Sequence, residues 1–96
     1  MTNTFTIPAP KTGAKPFPIP TDLWIGGKWV EAGSKKRVDV FNPSNGQKLC
    51  DIADCDANDA MAAVEAADKA APGWAATSPR QRAEILRKCY EKMIEN

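Results

Sequence analysis

Apolar and polar residues alternate with a period of two from Leu23 to Ala53 and with a helical period from Ala57 onward. Leu23-Trp24-Ile25 and Lys28-Trp29-Val30 flank Gly26-Gly27, and glycine tolerates the positive φ that a two-residue hairpin turn needs. A tight β-hairpin is expected, with Trp24 facing Trp29 and with Leu23, Ile25 and Val30 on the opposite face. Ala32-Gly33-Ser34 interrupts the pattern. Arg37 to Phe41 resumes it, Val38 and Val40 on one face and charges on the other. Asn42-Pro43-Ser44-Asn45-Gly46 is dense in turn formers, and Lys48 to Ala53 alternates again with Cys50 and Ile52 as its apolar members. The strands over about 23–53 are therefore expected to form a small antiparallel meander.

The second half changes period. Asp56 can cap a helix in which Ala57, Ala60, Met61, Val64, Ala67 and Ala71 recur at helical spacing, and Pro72-Gly73 is expected to end it, giving a helix over about 57–71. Glu65 and Lys69 are spaced for an i,i+4 ion pair. Ser78-Pro79-Arg80-Gln81 is a capping-box sequence with proline at the first helical position. The helix it opens, over about 79–95, carries a broad apolar stripe of Ala83, Leu86, Tyr90 and Met93 flanked by Ile85, Cys89 and Ile94. The pattern stops with the chain at Asn96, which is read as a truncation. The expected fold class is α+β, a hairpin and meander followed by two helices.

Ahead of these elements, Pro8, Pro10, Pro16, Pro18 and Pro20 punctuate residues 1–21, a composition that predicts an extended tail without ladder hydrogen bonds. Thirteen Lys and Arg against twelve Asp and Glu leave a net charge of +1, too little to steer the chain onto nucleic acid or anionic lipid. No apolar run is long enough for a membrane span, and the start lacks the marks of an export signal. Neither nucleic acid nor membrane is expected as a partner. Three cysteines without C-x-x-C spacing suit a reducing, cytoplasmic location.

The chemistry present is sparse. Without histidine, Ser-His-Asp and Cys-His couples and His-based metal sites are excluded. No glycine pattern follows a strand and opens a helix, so no phosphate cradle is visible. Cys50 and Cys89 fall on or beside apolar stripes, and Cys55 lies between Asp54 and Asp56, whose carboxylates disfavour a further negative charge. Asp51, Asp54, Asp56 and Asp59 lack calcium-loop spacing, and helix capping explains Asp56 and Asp59 more simply. No catalytic, cofactor-binding or metal-binding residue is assigned to this sequence.

Four blocks, LWIGGKWVEA, VDVFNPSNGQKLCDIADCD, NDAMAAVEAADKAAPGWA and SPRQRAEILRKCYEKMIEN, resemble the opening of an NAD(P)-dependent aldehyde dehydrogenase, closest to the succinate-semialdehyde dehydrogenase branch. The resemblance spans Leu23 to Asn96. It implies a larger α/β enzyme of coenzyme, catalytic and oligomerisation parts, assembled as a dimer or tetramer, with residues 22–96 as its N-terminal part. It also implies oxidation of an aldehyde, succinate semialdehyde in this branch, by thiolate attack, hydride transfer to NAD or NADP, and hydrolysis of the acyl-enzyme. The family's nucleophile, general base and coenzyme glycines lie outside the matched blocks, so the piece alone is expected to be inactive and to hold no coenzyme. A monovalent cation held by backbone carbonyls in some members would fall at Val40 and Phe41. The competing reading is a free-standing protein-interaction module that uses the Pro-rich tail or the Trp24/Trp29 face.

Overall fold

The structure, a computed structural model, describes residues 2–7 and 17–96. Met1 and residues 8–16, which form much of the expected tail, lie outside the described residues. Contacts divide the chain into two compact units, Met1–Ala66 and Ala67–Asn96.

The first unit holds three separate two-stranded antiparallel ladders: β1 (Thr4–Ile7) with β2 (Phe17–Pro20), β3 (Leu23–Ile25) with β4 (Lys28–Val30), and β5 (Arg37–Phe41) with β6 (Lys48–Ala53). This differs from the expected single meander. The chain leaves β4 through a turn closed by the Lys35 N–H on the Ala32 carbonyl (2.8 Å), with Lys35 in the left-handed region at φ 58°. Beyond that turn β5 pairs with β6 alone.

The β1–β2 ladder also differs from the expected unpaired tail, and proline spacing gives the reason. Thr4 lies opposite Pro20 and Thr6 opposite Pro18. The Thr21 N–H donates to the Asn3 carbonyl at 2.9 Å, which sets the hydrogen-bonded phase on the odd-numbered residues of this strand. Pro18 and Pro20 therefore occupy the intervening positions, where a missing N–H costs the ladder nothing.

In the second ladder Gly26 and Gly27 take φ 62° and 78°, the geometry of a type I′ turn, and Trp24 pairs with Trp29 with ring centroids 4.9 Å apart. In the third, Val38 lies opposite Ile52 and Val40 opposite Cys50, so the apolar residues share a face. The register shifts between Val40 and Phe41. Asn42 to Gln47 close the turn: the Asn42 side chain accepts from the Ser44 N–H (2.9 Å) and Gly46 adopts φ 72°.

Helix α1 spans Ala57–Ala75 and α2 spans Pro79–Glu95. At the start of α1 the Asp56 carboxylate accepts from the Asn58 and Asp59 N–H groups, while Asp59 accepts from the Asp56 N–H (3.0 Å). The helix does not end at Ala71. It runs through Pro72 and Gly73 to Ala75: proline takes its own N–H out of the ladder and crowds the Asp68 carbonyl, but the carbonyls that follow find donors. The Ala76 N–H takes the Pro72 carbonyl, the Thr77 hydroxyl takes that of Gly73, and the Thr77 N–H takes that of Trp74. Helix α2 opens on a reciprocal capping box, Ser78 Oγ accepting from the Gln81 N–H and Gln81 Oε1 from the Ser78 N–H. Its surface pairs are Arg80–Glu84, Arg87–Glu91 and Lys92–Glu95; Glu65 and Lys69 form no such pair. Among the residues whose burial is described, which leaves out Ile7 and Phe17, the only buried hydrophobic side chain is Ala32, and neither helix buries any residue.

Candidate functional site

The densest polar cluster gathers on Arg37 at the start of β5. Its guanidinium donates to the Asp51 carboxylate and carbonyl, to Asp22 Oδ1 (2.9 Å) and to Thr21 Oγ1 (2.6 Å). The Asp22 side chain is only 2% exposed and also accepts from the N–H and the amide of Asn3. Loss of water raises the Asp22 pKa, but the hydrogen bonds from Asn3 and Arg37 outweigh it and leave the carboxyl below its ordinary value. Hydrogen bonds to Asp51 and then Asp22 raise the pKa of Arg37. The cluster also relieves a conflict in the ladder. Asp39 and Asp51 face each other across the strands, a repulsive pairing, and Arg37 draws Asp51 one way while Lys48 pairs with Asp39 at 2.9 Å. With its donors engaged, this guanidinium is a structural hub and leaves little to offer a substrate.

An apolar cleft of about 160 Å³ lies between the β3 face and the first turns of α1, lined by Leu23, Ile25, Cys55, Ala60 and Ala63. Asp59 anchors that helix end by accepting from the Gly33 N–H (2.9 Å). The Asp56 and Gly33 N–H groups hold the Asp59 carboxyl below its ordinary pKa. Both helix N-termini are thus occupied by the chain's own side chains, Asp56 and Asp59 at one and Ser78 and Gln81 at the other. Gly26, Gly27 and Gly46, the glycines at positive φ, serve strand turns and do not open a helix. The described residues therefore do not fit a dinucleotide phosphate, which needs free N–H groups at a helix start.

The second unit is dominated by uncovered apolar side chains. Trp74, Leu86, Tyr90, Met93 and Ile94 are all more than half exposed. One polar contact organises the helix junction: Arg82 donates to the carbonyls of Trp74 (2.8 Å) and Ala75 (3.3 Å), and its guanidinium carbon lies 5.0 Å from the Trp74 ring centre. Neither the hub around Arg37 nor this cap stands out from the sequence, because charge at a strand or helix start ordinarily faces solvent.

The remaining candidates are placed apart. Cys50 is half-buried on β6, whereas Cys55 and Cys89 are exposed, and none pairs in a disulfide. Asp51 serves Arg37, and Asp56 and Asp59 serve the α1 cap, so the acids are spread over different tasks. Val40 and Phe41 flank the register shift of β5. No described helix is long and apolar enough to cross a membrane.

Residues 29–96 match the model of the aldehyde dehydrogenase family. Over 72 residues, 75% of this chain and 15% of the relative, the chain is 39% identical to succinate-semialdehyde dehydrogenase [NADP(+)] of Escherichia coli (strain K12). It is 37% identical to glutarate-semialdehyde dehydrogenase of Pseudomonas aeruginosa, covering 76% of this chain and 15% of the relative. Against mitochondrial succinate-semialdehyde dehydrogenase of Mus musculus the identity is 40%, covering 78% and 14%. A crystal structure described as an E. coli NADP-dependent enzyme superposes with a TM-score of 0.73 at 37% identity, over 78% of this chain and 16% of that one. The chain spans about 15% of the length of these relatives. With the match covering most of its residues and a relative's fold superposing on it, this chain belongs to the aldehyde dehydrogenase family.

Proposed function

We propose that the chain forms the opening segment of an NAD(P)-dependent aldehyde dehydrogenase that oxidises a semialdehyde, succinate semialdehyde first among them, to the carboxylic acid. The observation that carries this reading is the match over residues 29–96 to relatives named for semialdehyde oxidation. The Escherichia coli relative's name specifies NADP(+), which favours that coenzyme. A bound NAD(P)+ supplies the hydride acceptor; the described residues of this chain provide no cradle for it, and the reacting groups belong to other parts of the enzyme. The role proposed for this segment is scaffolding: its Trp hairpin and helix faces lie against the remainder of the polypeptide, in a homo-oligomer, dimeric or tetrameric, working in the cytoplasm.

The test is a chimera in which this chain replaces the matching segment of the Escherichia coli relative, compared with the 96-residue chain alone. Nicotinamide reduction with succinate semialdehyde is expected from the chimera and not from the chain alone. Reproducible turnover by the pure 96-residue chain refutes the scaffold role. A folded chimera that binds NADP+ yet turns over no semialdehyde refutes the scaffold role as well, since its reacting groups are those of the relative.

A further inference from the structure

Of the β1–β2 residues whose burial is described, Thr4, Thr6 and Pro18 are exposed, Ile19 is 38% exposed, and Phe5 and Pro20 are half-buried. Polar contacts tie the pair to its neighbour. Asn3 and Thr21, the hydrogen-bonded residue pair that ends this ladder, meet the β5–β6 ladder at one junction. Thr21, 8% exposed, donates its N–H to the Asn3 carbonyl and accepts at its own carbonyl from the Ala53 N–H (2.9 Å). Asp22 stands between the two ladders with its carboxylate shared. Asn3 takes it from one side through its N–H (3.2 Å) and amide (3.0 Å), and Arg37 takes it from the other at 2.9 Å.

We propose that Asp22 is the positioning residue of a clasp that seats the β1–β2 strand pair on the end of the β5–β6 ladder. The arrangement has the features a clasp requires. The carboxylate is removed from water, so its charged hydrogen bonds are stronger than surface ones. Its two partners belong to different ladders, so losing the carboxylate weakens their junction, leaving it to the bonds of Thr21 with Ala53 and Arg37, without breaking either ladder's own bonds. Among the described residues, the charged groups facing the junction from each neighbouring element are Arg37 on β5, Lys48 and Asp51 on β6, and Glu31 after β4, which accepts from the Asn3 amide at 3.3 Å. Arg37 hydrogen-bonds both Asp22 and Asp51, and it stays anchored to Asp51 when Asp22 is removed. The clasp makes the amino-terminal strand pair a strap whose seating depends on one buried charge.

Amide hydrogen exchange of the 96-residue chain and its variants tests this. In Asp22→Ala the Ala53 amide, whose bond to the Thr21 carbonyl bridges ladder and strap, is expected to exchange at least ~10-fold faster, the consequence of losing charge-assisted hydrogen bonds. The Asp54 amide, bonded to the Lys36 carbonyl at the same end of β5–β6 but untouched by the strap, is expected to keep its rate. Asn3→Ala, an exposed substitution that takes away the strap's amide bond to Asp22 without touching the β5–β6 ladder, shifts Ala53 in the same direction. Should Asp22→Ala fail to fold, Asn3→Ala alone decides the matter. Unchanged exchange at Ala53 in the folded variants overturns the clasp. So does a loss at Asp54 in step with Ala53, which would make Asp22 a support of the whole β5–β6 ladder.

Discussion

Leu86 separates a finished surface from an uncovered one. It lies on the apolar stripe of α2 and is 71% exposed. Fully burying a leucine contributes ~1.5–3 kcal/mol, so the fraction covered within this chain contributes less than ~1 kcal/mol. Replacing it with alanine restores a few tenths through alanine's higher helix propensity. Leu86→Ala is therefore expected to change the stability of the isolated chain by no more than ~0.5 kcal/mol, the range of ordinary surface substitutions. In the chimera, where the proposed scaffold role covers this face, the same change becomes a core truncation costing ~2–5 kcal/mol. Urea unfolding followed by far-UV circular dichroism measures the first, and the midpoint of activity loss in urea measures the second. A cost above ~2 kcal/mol in the isolated chain would mean that α2 already has its core, contrary to the exposure above. A chimera indifferent to the change would mean that nothing covers the face.

Gly27→Ala tests the hairpin: no atom lies within 4 Å of the added Cβ, so the penalty is backbone strain at φ 78°, about 1–2 kcal/mol, read as loss of the Trp24–Trp29 exciton signal. Ser78→Ala removes half of the capping box and is expected to cost α2 about 1 kcal/mol, visible as lower helicity. The pH dependence follows from Asp22 and Asp59, whose folded pKa values lie below the ordinary 3.8. Each contributes stability that is fully present above 3.8 and is lost as pH falls through its folded value. An acid titration is expected to stay flat above that value and to release the strap and the α1 start below it; Asp22→Asn and Asp59→Asn should each remove part of the acid-side slope.

Much of the fold was legible because local chemistry decides it. Gly26-Gly27 required positive φ and produced the hairpin register, and Ser78 with Gln81 marked the start of α2 to the residue. The strand pair at the amino end and the length of α1 depart from the expected pattern for one reason: what a proline costs depends on its phase in the ladder. Pro18 and Pro20, two apart, fall on the non-bonded positions of β2, and Pro72 removes one bond from a helix whose next carbonyls are taken up by Ala76 and Thr77. The meander broke into separate ladders because the Ala32–Lys35 turn is closed by its own hydrogen bond, which alternation does not encode. The junction at Arg37 was illegible for another reason. Asn3, Asp22, Arg37 and Asp51 are far apart in sequence, and only the pairing of strands brings them together. Chemistry of aldehyde oxidation was absent from the residues themselves, so that conclusion came from resemblance.

Hydrophobic residues make up 43% of the sequence, close to the share of a protein with a full core, yet Ala32 is the one buried hydrophobic residue among those whose burial is described. Turns, caps and ion pairs shape the elements, and the apolar content faces outward, where it suits a partner surface. Arg80 provides the control for that reading. Its side chain is 90% exposed and pairs only with Glu84 at 3.4 Å, one turn along α2. Such a surface pair contributes a few tenths of a kcal/mol wherever it stays solvated, about 0.3–0.5 kcal/mol. Arg80→Ala is expected to be nearly silent in both the isolated chain and the chimera, while Leu86→Ala is silent only in the first. If the two substitutions behaved alike in the chimera, exposure in this chain would reflect an ordinary wet surface, and the scaffold role would lose its physical basis.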